Sequence, residues 1–260
     1  MSGPRGAGAS RLAFAASLVL LGSHALVTRH IAGVWGPVPR FVPAQAALPW
    51  LAGAVVVACG LGLSSLRTAP VAARALLGWL LLWLVVARLP EAAMAPAVVG
   101  YWSGCGETLV PAAAAWVLMA PSSDRARAVA RVLYGLALVP FGLAHLVYLR
   151  ETASLVPAWL PAPQGWAMVT GGAFLAAAAA LLAGIGVRLA AVLAALQIGG
   201  FTALVWLPIV ASGHADAASW SETVISLMLT AAACVIADAL RPPRVQWVSA
   251  SASSSSAPAG

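Results

Sequence analysis

Few residues in this chain can do acid–base or ionic chemistry, and six of them recur in a fixed order. His24, Arg29 and Glu107 stand in the first half; His145, Arg150 and Glu222 stand in the second. In both copies the arginine follows the histidine by five residues. Histidine exchanges a proton near neutral pH, a carboxylate accepts one, and arginine holds an anion. Two readings of each triad stay open. Ionisable groups inside a membrane are costly enough to count as functional candidates, which makes each triad a ligand, proton or quinone site. Alternatively, arginine at the end of one helix and glutamate near the start of another form a structural clasp, because the helix dipoles favour those charges there.

Other chemistries lack their residues. Cys59, Cys105 and Cys234 are widely spaced, with no C-x-x-C and no Cys/His spacing suited to a metal. No Ser-His-Asp arrangement, phosphate loop or H-E-x-x-H is present. Gly171-Gly172, Gly184-x-Gly186 and Gly199-Gly200 suit close helix packing, and none follows a strand as a dinucleotide fingerprint requires. His30 and His214 read as solvated loop residues. The tryptophans Trp35, Trp50, Trp102, Trp159, Trp166 and Trp220 read as interface belts needing no cofactor.

The elements that position the triads are apolar helices. Of 260 residues, 62% are hydrophobic and 8% charged, with a mean hydropathy of +0.95. Uncharged runs near the length of a membrane span recur throughout. In lipid each span must satisfy its own backbone, and the runs lack the alternation of a barrel, so the fold class is all-α and polytopic. Eight spans are expected, at 12–27, 46–64, 70–90, 102–120, 128–149, 164–184, 187–208 and 219–238. Pro49, Pro70 and Pro163 lie near helix starts; Pro111 and Pro140 fall inside spans, where a ring kinks a helix. Residues 1–10 and the Ser/Ala-rich segment 241–260 read as disordered.

All 14 basic residues are arginines, and the net charge is +7. A basic balance in loops between apolar runs sets orientation and does not call for nucleic acid. Eight spans place ten arginines (5, 11, 67, 74, 125, 127, 131, 188, 241, 244) on the side of the termini and Arg29, Arg40, Arg88 and Arg150 on the other. The positive-inside rule then puts both termini in the cytoplasm. Glu91, Glu107, Glu151, Asp216 and Glu222 fall toward the outer face.

The halves share six ordered landmarks: His24/Arg29 with His145/Arg150, Val42-Pro43-Ala44 with Val156-Pro157-Ala158, Trp50 with Trp166, Arg74 with Arg188, Leu89-Pro90 with Leu207-Pro208, and Glu107-Thr108 with Glu222-Thr223. One four-helix unit is thus expected at 11–121 and another at 122–240, in the same orientation, each folding into a bundle. This pattern, with Val156-Pro-Ala-Trp-Leu-Pro161 after the histidine, resembles the DoxX-like integral membrane proteins, which are usually single four-helix units. Where many relatives carry a histidine before the closing Leu-Pro, this chain has Arg88 and Trp206. The resemblance implies a multi-pass protein of a bacterial-type inner membrane and, by association with quinone-linked sulfur oxidation and amine utilisation, a quinone as candidate cofactor and a redox subunit as candidate role. A small-molecule carrier and a non-catalytic partner of another membrane or cytoplasmic protein are the competing readings.

Overall fold

The lipid-compatible runs form helices, and a computed structural model describes them over residues 5–29, 38 and 45–241. His30, Trp35, Arg40, Val42-Pro43-Ala44 and the tail beyond Arg241 lie outside the described residues. In chain order the helices are α1 (Arg5–Thr28), α2 (Leu48–Ser64), α3 (Ala69–Trp83), α4 (Leu89–Met94), α5 (Val99–Met119), α6 (Asp124–Val147), α7 (Leu149–Ser154), α8 (Pro163–Ala183), α9 (Val187–Phe201), α10 (Leu207–Ala211) and α11 (Ala217–Ala239). No strand occurs among the described residues. Pro49, Pro70 and Pro163 each sit in the first turn of a helix, where the missing N–H has no partner to lose.

Among the described residues, seven helices are long and apolar enough to cross a membrane. Their outward positions are apolar as well: Leu189, Leu193 and Leu196 form one exposed face of α9, as a lipid contact requires. The expected fourth span, α5, is not among the seven, although it has 21 residues. Glu107 and a glycine-rich first half lower its hydropathy. It lies instead at the centre, with Ala112, Ala113, Ala114 and Ala115 all fully buried.

Packing follows from these small residues. Helix α5 packs on α3, α6 and α11, while α11 packs on α9, α1 and α5. Helix α1 packs on α2 and α11, and α6 on α8 and α5. The first helix of each half therefore lies against the last helix of the other. The halves interlock, which corrects the expectation of two self-contained four-helix bundles. The cause is surface type: the alanine faces of α5 and α11 let two further helices approach each of them closely.

The α1–α2 and α6–α8 contacts are built alike. A Cβ on Gly22 would lie 2.6 Å from the carbonyl oxygen of Gly53, and one on Gly142 would lie 2.8 Å from that of Gly171. Either side chain would drive the helices apart, at a cost of about 1–3 kcal/mol. At the opposite end of these pairs, the Arg11 guanidinium donates to the Leu63 carbonyl and that of Arg131 to the Leu181 carbonyl. Each cation thus caps the negative end of the neighbouring helix. Ser10 and Arg11 are buried there, and α1 starts at Arg5, ahead of the expected span at 12–27 and inside the segment read as disordered.

Helices α3 and α9 share one more feature. Each widens into a single π-helical turn, at Leu84–Arg88 and at Thr202–Trp206, directly before Leu-Pro. Leu89 N–H bonds to the Leu84 carbonyl and Leu207 N–H to that of Thr202, one residue further back than in an α-helix. The proline that follows lacks an N–H and crowds the preceding turn, so a wider turn relieves the clash and lets the helix continue.

Candidate functional site

The polar groups of the second half converge on a cavity of about 590 Å³. Helices α5, α6, α8, α9 and α11 wall it, and the segment carrying Val156, Pro157, Trp159 and Leu160 rims it. A turn closed by Leu160 N–H donating to the Pro157 carbonyl (2.9 Å) shapes that rim. Most of the lining is apolar or aromatic, including Phe141, Trp166, Phe174, Phe201 and Trp206. Into it project Glu107, His145, Gln197 and Glu222. The size and the few convergent polar groups are those of a small-molecule site.

His145 is held on three sides. Its Nδ1 lies 2.8 Å from the Phe141 carbonyl oxygen, and its ring stacks on Phe201 and meets Phe174 edge-on, with centroids 5.4 Å away in each case. A carbonyl oxygen only accepts, so Nδ1 carries the hydrogen and a neutral ring keeps its lone pair on Nε2. Gln197 Nε2 donates to the Thr170 carbonyl at 2.9 Å, which leaves its amide oxygen as an acceptor. Among the described residues, neither Glu107 nor Glu222 has a hydrogen bond or ion pair within the protein. Thr202, in the π-turn, ties the wall together through hydroxyl contacts of 2.7 Å to Ser226 and 3.0 Å to Thr230.

The six residues singled out from sequence divide differently from the two expected triads. Glu107 belongs to the second half's cavity, beside Glu222 and His145, because α5 packs against α6 and not against α1. Gly106 permits this: a Cβ there would sit 2.8 Å from the Ala137 carbonyl oxygen of α6. His24 remains on α1, half-buried, away from this cavity. Arg29 is exposed just past the end of α1, in the left-handed region at φ 57°, with its guanidinium 5.8 Å from the centre of the Trp50 ring.

Arg150 does not reach Glu222. Tyr148 breaks α6 at ψ 47°, its hydroxyl accepting from the Gly100 N–H at 3.2 Å. Arg150 is carried outward on the short α7, exposed, near Ser154 and Gln164. The expected Arg150–Glu222 clasp is thus absent among the described residues. Arg88, expected in an outer loop, is instead buried in the π-turn and paired with Glu91 at 3.2 Å. Its guanidinium packs on Gly104 of α5, where a Cβ would come within 3.2 Å.

Sequence reasoning missed the aromatic walls. Trp159 and Trp166, read as interface residues, also line the cavity. One signal was present: counted back from Leu-Pro, the second half has Gln197, Phe201 and Trp206 where the first has Trp79, Trp83 and Arg88. In the first half the two indoles stack, with centroids 6.1 Å apart, and pack into the core. Compared with family models, with characterised proteins and with solved structures, the chain matches none.

Arg88 and Glu91 have side-chain exposures of 4% and 11%, so removing one of them takes a buried counter-charge from the other. Glu91→Ala is expected to cost about 3–5 kcal/mol, and Arg88→Leu with Glu91→Ala clearly less. Thermal unfolding of the purified protein checks this; equal losses would contradict the pairing.

Proposed function

We propose that this multi-pass membrane protein binds a small lipophilic molecule in the cavity beside His145, and that it works as a carrier or binding component. The carrying observation is the convergence of two unpartnered carboxylates, a fixed histidine and stacked aromatic walls on one apolar space. A purely structural clasp would bring cation and carboxylate together, and here Arg150 and Glu222 are apart. Gly200 lines the cavity, and a Cβ there would meet nothing within 4 Å. In lipid nanodiscs, neutral 4-phenylbutan-1-ol is expected to bind saturably to the wild type, and Gly200→Phe is expected to abolish that binding. Absence of saturable binding in the wild type would overturn the proposal.

A second reading keeps the quinone-linked redox role that the DoxX-like resemblance implies. The flat aromatic walls favour it, as does the His145 Nε2 lone pair, which suits a quinol hydroxyl. Decylubiquinone binding far more tightly than the alcohol would move the balance to this reading.

The architecture we infer is a DoxX-like four-helix unit written twice, with eight spans and both termini in the cytoplasm of a bacterial-type inner membrane. It is supported by matched arginine caps, matched glycine crossings, π-turns at matching positions before Leu-Pro, and equivalent packing partners in the two halves. In this arrangement α5 is the eighth span, shielded from lipid by its neighbours. Reporter fusions after Arg127 and after Ser251 are expected to read cytoplasmic, and one after Pro96 external. An external signal after Ser251 would remove the eighth span.

A further inference from the structure

The polar lining of the cavity is one-sided. Glu107 and Glu222 can each carry a negative charge, and no arginine lines the space with them. His145 gives its Nδ1 hydrogen to the Phe141 carbonyl and shows an acceptor nitrogen. Gln197 gives one amide hydrogen to the Thr170 carbonyl and keeps its oxygen and its second hydrogen. Two nearby hydroxyls are turned to the backbone: Ser103 donates to the Val99 or Pro140 carbonyl, and Thr170 to that of Trp166 or Ala167. The donors left are the second Gln197 amide hydrogen, the Thr152 hydroxyl and the indole N–H groups of the tryptophan walls, none of them charged. A ligand rich in acceptors, such as a carboxylate or phosphate, would meet repulsion here.

We propose that the cavity selects a protonated lipophilic amine, with its ammonium held between Glu107 and Glu222 and its apolar body against Phe141, Phe174 and Phe201. This rests on the binding role proposed for the cavity and names the ligand class. An aliphatic ammonium supplies donors and a positive charge, and is what two otherwise unpartnered carboxylates in an apolar setting lack. Aromatic faces add attraction for a cation at short range. The two carboxylates come from α5 and α11, which belong to different halves. Each half therefore contributes one carboxylate to a single cation site. Arg88 packs against Gly104, one helical turn from Glu107, but it does not line the cavity and its ion pair is with Glu91.

The test compares 4-phenylbutylamine with 4-phenylbutan-1-ol, which match in shape and differ in charge. Binding is read on the full chain in nanodiscs of zwitterionic lipid at pH 7, with empty nanodiscs subtracted. The wild type is expected to bind the amine roughly tenfold or more tightly, as a charge-assisted contact in an apolar site implies. Glu107→Gln with Glu222→Gln is expected to erase that preference while the alcohol still binds. Equal or weaker binding of the amine by the wild type, with the alcohol retained, would overturn the inference and leave the cavity's binding role standing. Loss of both ligands in the wild type would sink the binding role itself. The wild-type comparison holds even if the double variant fails to fold. A preference that survives in a folded double variant would place the ammonium elsewhere and also overturn the inference.

Discussion

An ionised side chain within a bilayer must find a partner, water or a cavity, and the arrangement of this bundle follows from that constraint. Arg88 is buried and takes Glu91 as its partner one helical turn away. Arg11 and Arg131 reach helix-end carbonyls. Glu107 and Glu222 have no such partner and face a shared cavity. Helices α5 and α11 carry those two glutamates, and they are also the helices every other long helix except α2 and α8 packs against. Their small residues allow a central position, and their carboxylates forbid a lipid-facing one.

The same constraint bears on a difference between the first and second halves of the chain. Trp79, Trp83 and Arg88 occupy the first half where Gln197, Phe201 and Trp206 stand in the second. In the first half the two indoles pack into the core, whereas in the second Gln197, Phe201 and Trp206 line the cavity. That cavity receives the glutamates of both halves.

Much of this was legible from residue types. Hydropathy located the helices, and prolines marked the starts of α2, α3 and α8. His145 and Glu222 stood out because charge is scarce, and they do line the cavity. Partner choice was not legible. The cost of a charge in lipid turns Glu107 inward but does not say which neighbouring helix it meets, and the Gly106 contact with α6 decides that. Arg88 read as an outer-side residue at the end of the third span, whereas a π-turn lets the helix run on past it. Arg150 was misplaced because nothing in its neighbourhood announced the break at Tyr148.

The central claim is that one cavity, in the second half, gathers Glu107 and Glu222 around a single ligand. Photolabelling with a diazirine-bearing alkylamine, followed by peptide mapping of the labelled positions, tests it most directly. The account predicts label on α5 near Ser103 and Glu107 together with α6, α8 and α11, suppressed by excess 4-phenylbutylamine. Suppressible label confined to α1, α2 and α3 would contradict it.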